Sequence, residues 1–386
     1  MDTPIIILGS GLAGYHLARE IRQRDQDVPL CMLTRDAGHF YSKPMLSTAM
    51  GMGKEVDVLM SMPAEKMAQQ YHMDIVTHTE VTSILPQENS LCVNSLHSGV
   101  SEVMNYRALI LCIGAEPRIP VLEGNAQADV LSVNDVYQYQ LFREKLVNKK
   151  QVVLLGAGLV GCEFANDLTR AGYAVDIVEP ASTPLASLLP PEIGIELQRA
   201  LERQGARWHC GRTAKSVDYN DDAYSVMLDD GSSISADIVF SAIGLSPRTG
   251  LAAQAGIYTE RGICVNEYLQ TNLPNIYAIG DCAEINHWIL PYIAPIMHCS
   301  KALAASLLGE LTPAAFPVMP VVIKTSAYPV VVCRPRNMSD TQWVIKKNNH
   351  DFVAELRHKD HQLVGFILTG EFTKERAELM SRTSVI

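Results

Sequence analysis

Two stretches of the chain carry residue types that can do chemistry at a fixed spacing. Gly9-Ser10-Gly11-Leu12-Ala13-Gly14 follows the apolar run Ile5 to Leu8, and Gly156-Ala157-Gly158-Leu159-Val160-Gly161 follows Val152 to Leu155. A strand that ends in Gly-x-Gly-x-x-Gly and opens into a helix lets the backbone approach a diphosphate and aims unpaired helix N–H groups at it. One such stretch is a weak signal, because tight turns share the pattern. Two of them, each behind an apolar strand, predict two dinucleotides bound face to face.

Each loop calls for an acid at the end of the next strand, to hold ribose hydroxyls. After the first loop the strand Leu30 to Leu33 runs into Thr34-Arg35-Asp36, which makes Arg35 and Asp36 candidates. After the second, Val175 to Val178 ends in Glu179, close to the spacing of about 20 residues expected of a ribose-binding acid. No arginine follows Glu179 directly, which favours NADH over NADPH. A later strand, from Asn275, ends in Gly280-Asp281; the glycine permits close approach and the aspartate can accept a hydroxyl hydrogen bond. In Tyr41-Ser-Lys43-Pro44-Met-Leu-Ser47 the proline biases Lys43 toward an extended backbone, from which its side chain can point into a cofactor crevice. Glu163 lies two residues past Gly161. It is either a first-turn carboxylate that complements the helix dipole or a group that acts on a cofactor.

The elements that must position these residues follow from the apolar patterning. Helices are expected over Tyr15 to Arg24, Ala64 to Tyr71, Cys162 to Ala171 and from about Ala294 to Leu308, with an extended stretch from Asp74 to Ile84. The strand Ala108 to Ile113 leaves through Gly114-Ala-Glu-Pro117, and a near copy at Ile238 to Pro247, with Gly244 in the turn, leaves in the same way. Two matching exits bracket an inserted domain. The reading is an α/β chain with two Rossmann-like dinucleotide-binding domains, 1–116 with 245–315 and 117–244, plus a small α+β domain at 316–386. That last domain is built from short runs at Val318 to Lys324, Val330 to Val332, Trp343 to Ile345, Phe352 to Leu356 and Leu363 to Leu368.

Composition narrows the function classes. With 386 residues, 47% hydrophobic and 19% charged, the chain can bury a large core. A net charge of -10 argues against a general nucleic-acid binder. No apolar run reaches about 18 residues and no signal-peptide pattern opens the chain, so a cytoplasmic protein without membrane insertion is expected, taken as a monomer. The nine cysteines are scattered without a Cys-x-x-Cys, which reads as reduced thiols. His39, His298, His358 and His361 show no ligand spacing, and no metal site is expected.

In type and order, the two loops, the two exit strands and the Gly-Asp strand resemble the two-dinucleotide-binding flavoprotein reductases, the family of FAD-dependent pyridine nucleotide-disulfide oxidoreductase-like proteins. The resemblance covers essentially the whole chain. Within that family the sequence is most similar to the rubredoxin-NAD reductases, through residues 41–47, Gly-Ala-Gly-Leu-Val-Gly-Cys-Glu-Phe-Ala-Asn-Asp at 156–167 and Ile-Tyr-Ala-Ile-Gly-Asp-Cys-Ala-Glu at 276–284. It implies FAD in the first loop and NADH in the second. It further implies the backbone of Val81 at the adenine, Asp281 at the ribityl chain, and Ile293 and Lys324 near the flavin ring, with Lys324 facing negative charge on the reduced pyrimidine side. Lys43 and Glu163 would form an ion pair beside flavin N5.

The disulfide-reducing relatives need a cysteine pair in the first domain, and none stands near Lys43, so electrons would leave from the flavin itself. The implied activity is hydride transfer from NADH to flavin, then single-electron transfer to the iron of rubredoxin, a route that can feed alkane hydroxylation. A flavorubredoxin or a [2Fe-2S] ferredoxin as acceptor, or a flavin-bound redox sensor, are the alternatives. An acidic carrier would need a local basic patch on this acidic chain, for which Arg334, Arg336, Lys346, Lys347 and Lys301 are the candidates.

Overall fold

The run Ile5–Leu8 is a strand (β1) with all four residues buried, and it is the centre from which the first half of the molecule is built. It leads through the glycines into helix α1 (Leu12–Arg24), and strand β2 (Leu30–Leu33) returns parallel to it with Ile5 opposite Leu30. On the other side of β1 lies Ala108–Leu111, and the parallel sheet reads Ile276–Ala278, Ala108–Leu111, β1, β2, Asp74–Val76. Strands buried on both faces need unbroken apolar sequence, and β1, β2 and Ala108–Leu111 have it, whereas Asp74–Val76 is an edge strand that is largely exposed. Leu17, Ala18 and Ile21 of α1 are fully buried, and α1 packs along the helix Ile293–Leu307.

The second parallel sheet repeats the construction. Strand β3 (Gln151–Leu155) leads into α2 (Leu159–Arg170) and β4 (Ala174–Glu179), and the order is Ala206–Cys210, β4, β3, Ile238–Ser241. Phe142, Phe164 and Phe240 fill its core, with the Phe164 and Phe240 rings 4.8 Å apart. The C-terminal stretch is an antiparallel sheet in the order Val321–Ile323, Val330–Cys333, Leu363–Thr369, Asp351–His358, Thr341–Asn348, followed by the helix Arg376–Arg382. Charged residues such as Lys346 and Lys347 on its exposed edge strand blunt edge-to-edge pairing.

This is a computed structural model, and it describes residues 3–335 and 337–384. The chain divides into two units. The first comprises Met1–Lys43, Asp57–Glu116 and Leu245–Phe316, and the second Pro44–Val56, Pro117–Gly244 and Pro317–Ile386. Pro44–Val56 thus sorts away from the residues on either side of it, and the C-terminal stretch joins the second unit.

Both helices begin three residues earlier than the periodicity suggests, at Leu12 and Leu159, because Gly14 and Gly161 sit inside the first turn and carry no side chain to register in the pattern. The extended stretch from Asp74 divides into Asp74–Val76 and Thr79–Leu85 around His78, whose φ is 49°.

Candidate functional site

The two glycine loops obey one geometric rule. The first glycine of each has a positive φ, 115° at Gly9 and 95° at Gly156, where a side chain would be strained. The third lies against the first: a Cβ on Gly14 would stand 2.0 Å from the Gly9 carbonyl oxygen, and one on Gly161 2.1 Å from that of Gly156. The middle glycine of each is open, with no described atom within 4 Å of a Cβ built on Gly11 or Gly158. Gly11 and Gly158 are also the N-caps of α1 and α2, and neither helix start receives a side-chain cap. Helix N–H groups left without a side-chain acceptor, beside open space at the one glycine that must let a ligand in, suit a diphosphate. Each loop therefore fits the diphosphate of a dinucleotide such as FAD or NADH, within its own unit.

Around the first loop, the Ser10 hydroxyl lies 2.8 Å from that of Thr34, and Asp36 Oδ1 accepts from Thr34 Oγ1 and the Gly38 N–H, both at 2.8 Å. Arg35 is exposed and pairs with Glu80 at 3.4 Å. Gly280 has a φ of 82°, and a Cβ there would stand 2.9 Å from the methyl of Ala13, so the Gly-Asp turn closes down on the start of α1. Asp281 then faces Lys43, with 3.6 Å between Oδ2 and Nζ. Val81 is buried in Thr79–Leu85, opposite Val93, and Ile293 opens its helix with its side chain partly exposed.

Around the second loop, Glu179 ends β4 as the spacing requires. Its Oε2 accepts the Ala157 N–H at 2.6 Å and its Oε1 the Ala181 N–H at 2.9 Å, so this acid also braces the loop it serves. Gly244, with a φ of 116°, closes the turn after Ile238–Ser241, and its carbonyl accepts the Arg118 N–H at 3.0 Å.

Glu163 is 2% exposed and fully bonded inside the second unit. Its Oε1 accepts the Lys324 backbone N–H at 3.0 Å, and its Oε2 accepts the Ser47 hydroxyl at 2.6 Å and lies 2.7 Å from Lys324 Nζ. The same ammonium donates to Ser47 Oγ at 2.9 Å and to the Pro44 carbonyl. An ammonium has three donors, and these are three acceptors. Lys43 and Glu163 belong to different units, and each has an ion partner within its own, Asp281 for Lys43 and Lys324 for Glu163. The sequence reading placed Lys324 toward the cofactor ring; the structure adds that its charge is balanced by Glu163.

The polar face of α2 continues beyond Glu163. Asp167 accepts the Met50 N–H at 3.0 Å and the Gly51 N–H at 2.7 Å, while Asn166 accepts the Ala327 N–H at 3.0 Å and its side chain meets the Ser326 hydroxyl. Burial raises the Asp167 carboxyl above its ordinary value, opposed by these two N–H groups. Sequence reasoning assigned Ser47, Asn166 and Asp167 no role. The signal was available in the spacing of 163, 166, 167 and 170, which puts polar residues in a row on one helix face.

The nine cysteines are all free thiols. Burial raises the thiols beside the loops, Cys112 and Cys162 strongly and Cys282 to about 12, so they are not poised as nucleophiles. Of the basic residues considered for docking, Arg334 donates to the Ser187 carbonyl and Lys347 pairs with Glu196 at 3.1 Å, whereas Lys346 and Lys301 are exposed. Arg336 lies outside the described residues. Among the described residues, no helix is long and apolar enough to cross a membrane.

Two Rossmann-like sheets, each with an open glycine loop at the end of its leading strand, define a two-dinucleotide oxidoreductase. The pyridine nucleotide-disulphide oxidoreductase model matches residues 3–305, and the rubredoxin binding C-terminal domain matches residues 313–383. The chain belongs to the pyridine nucleotide-disulphide oxidoreductase family. It is 42% identical to the rubredoxin-NAD(+) reductase of Alcanivorax borkumensis, over 97% of each chain. It is 34% identical to the nitric oxide reductase FlRd-NAD(+) reductase of Escherichia coli O1:K1, over the full length of both. Among solved structures it is similar to a ferredoxin reductase from Rhodopseudomonas palustris, with a TM-score of 0.88 and 26% identity over 100% of this chain and 96% of the other.

Proposed function

We propose that this chain is an FAD-dependent NADH:rubredoxin oxidoreductase. The observation that carries the reading is the pair of open glycine loops followed, in the same chain, by a domain that matches the rubredoxin-binding type over residues 313–383. FAD, when bound, supplies the conversion that nicotinamide cannot make, taking two electrons as a hydride and giving them up singly. The balance is one NADH and two ferric rubredoxins in, one NAD(+), one proton and two ferrous rubredoxins out.

The chain's part is binding and orientation. Gly9, Gly11 and Gly14 would hold the FAD diphosphate, with Val81 at the adenine, Asp281 at the ribityl hydroxyls, and Ile293 and Lys324 toward the ring. Gly156, Gly158, Gly161 and Glu179 would hold NADH, and Glu179 together with the absence of an adjacent arginine favours it over NADPH. Lys43 and Glu163 act as fixed charges that order the two rings without reacting, since a near-attack arrangement supplies much of the rate. Free thiols throughout suit a reducing cytoplasm. Rubredoxin is preferred to flavorubredoxin because identity is higher to the rubredoxin-NAD(+) reductase, 42% against 34%. An alkane-hydroxylating reaction would be one consumer of the reduced carrier.

Stopped-flow reoxidation of the NADH-reduced protein by rubredoxin, flavorubredoxin and a [2Fe-2S] ferredoxin tests the acceptor. Rubredoxin should be fastest by about tenfold or more, a difference of 1.4 kcal/mol in barrier. A rubredoxin no faster than the other two overturns the assignment.

A further inference from the structure

Three buried side chains within two turns of α2, Glu163, Asn166 and Asp167, bond two segments distant in sequence, 47–51 and 324–327. Asp167 is 1% exposed, and both of its carboxylate oxygens are spent on backbone N–H groups of one short turn. The approach is tight: a Cβ on Gly51 would lie 3.0 Å from Asp167 Oδ1 and 3.0 Å from Arg170 Cβ, so a larger residue there would push on the carboxylate. A second tie secures the far end of the same segment, where Arg143 donates to the Lys54 carbonyl at 3.0 Å. Ser47 is three residues before Met50, and its hydroxyl donates to Glu163 and accepts from Lys324. One hydroxyl thus completes a charge pair, and it hangs on a turn that Asp167 holds.

We infer that Asp167 is a positioning residue: by clasping the Met50 and Gly51 N–H groups it fixes the turn so that the Ser47 hydroxyl stands between Glu163 and Lys324. The consequence for the reaction rests on the oxidoreductase reading above. Asp167 touches no reacting atom, and its effect passes through Ser47 to Glu163, one of the two fixed charges given above the task of ordering the rings, and to its partner Lys324.

Two variants disturb the clasp from opposite sides. Asp167→Asn keeps the shape but can accept only one of the two N–H groups through its carbonyl, and Gly51→Ala keeps the carboxylate while pushing the turn away. Hydrogen exchange of peptides covering 44–56 should speed up by about tenfold in both, while peptides covering 324–327 hold their wild-type rate. The NADH-driven flavin reduction rate at saturation should fall by about tenfold, since small misplacements near the reacting centre are costly, with FAD content and the apparent NADH Kd within about twofold of wild type. Asp167→Asn combined with Ser47→Ala should be no slower than Ser47→Ala alone, because the first change acts through the second.

Faster exchange with an unchanged reduction rate, or additive losses in the double variant, reduces Asp167 to a stabilising residue and overturns the inference. Unchanged exchange in both variants overturns the clasp itself. A wild-type protein that NADH does not bleach overturns the oxidoreductase reading instead, and the exchange measurement, which needs no turnover, separates that failure from this one.

Discussion

The two glycine loops share the geometry of their three glycines, and the helices that follow them differ in what their polar residues hold. On α1 the positions matching Glu163, Asn166, Asp167 and Arg170 are His16, Arg19, Glu20 and Gln23, all partly or fully exposed. Glu20 bonds within its own helix, to Arg24 at 2.9 Å. On α2 three of the four are buried and bond other segments of the chain. Helix α1 reaches remote backbone through a buried cation, Arg22, which donates to the Tyr71 and His72 carbonyls, whereas α2 fastens remote parts of the chain around carboxylates. Burying three polar groups on one helix costs desolvation, which is offset here because each one finds partners.

The strongest way to break this comparison is to fill each loop. Gly14→Val and Gly161→Val both drive a side chain into the first glycine's carbonyl, an overpacking of about 1–3 kcal/mol that also shifts the cradle. Gly14→Val should emerge from purification without its yellow colour. Gly161→Val should remain yellow but need about a hundredfold more NADH for reduction, equivalent to about 2.8 kcal/mol. Flavin content by absorbance and an NADH titration decide it, and the same ligand lost in both variants would show that the loops are not specialised.

A smaller effect is expected at the acids. Glu179→Arg should move the NADPH-to-NADH preference up by about tenfold, or 1.4 kcal/mol, because arginine can meet a 2′-phosphate. Asp36→Arg should leave that preference where it was. Ratios of kcat/KM for the two nucleotides report both. Since Glu179 also braces the Ala157 and Ala181 N–H groups, Glu179→Gln is the control that removes charge without introducing a cation.

The smallest expected effect concerns stability in acid. Burial alone would raise the Asp176 carboxyl, but hydrogen bonds and charge from Arg207 and His209 hold it below its ordinary value. A depressed carboxyl stabilises the fold above its unfolded value and loses that contribution as pH falls through the folded one. Arg207→Met should therefore unfold at a less acidic pH and lose about 1 kcal/mol at neutrality, a modest figure because Arg207 is largely exposed. An acid titration followed by circular dichroism checks it. Asp167 carries the opposite sign: its raised value means that ionisation costs stability as pH rises.

Much of the fold was legible because its strands are short apolar runs that need no context. Ile5–Leu8 and Leu30–Leu33 match their expected limits to the residue, and the glycines of both loops lie where the motif put them. Helix starts were less legible, since glycine in a first turn gives no periodicity. At the site, Glu179 could be found from spacing, but the Glu163–Lys324 pair links residues 161 apart and no local pattern records such a contact. Ser47 was equally hidden: a serine four residues past Lys43 reads as loop filler until the fold brings it to Glu163.

The order of strands in the first sheet has a consequence for the chain as it is made. Ile276–Ala278 pairs with Ala108–Leu111, so the sheet around the first loop acquires its last strand only after nearly three quarters of the chain has been synthesised. The four strands around the second loop are complete by Ser241. The loop met first in the sequence is thus the later of the two to gain its full sheet, and through that interval the edge of Ala108–Leu111 lacks its neighbour. Long-range parallel pairing of this kind is slow and leaves such edges open to wrong partners.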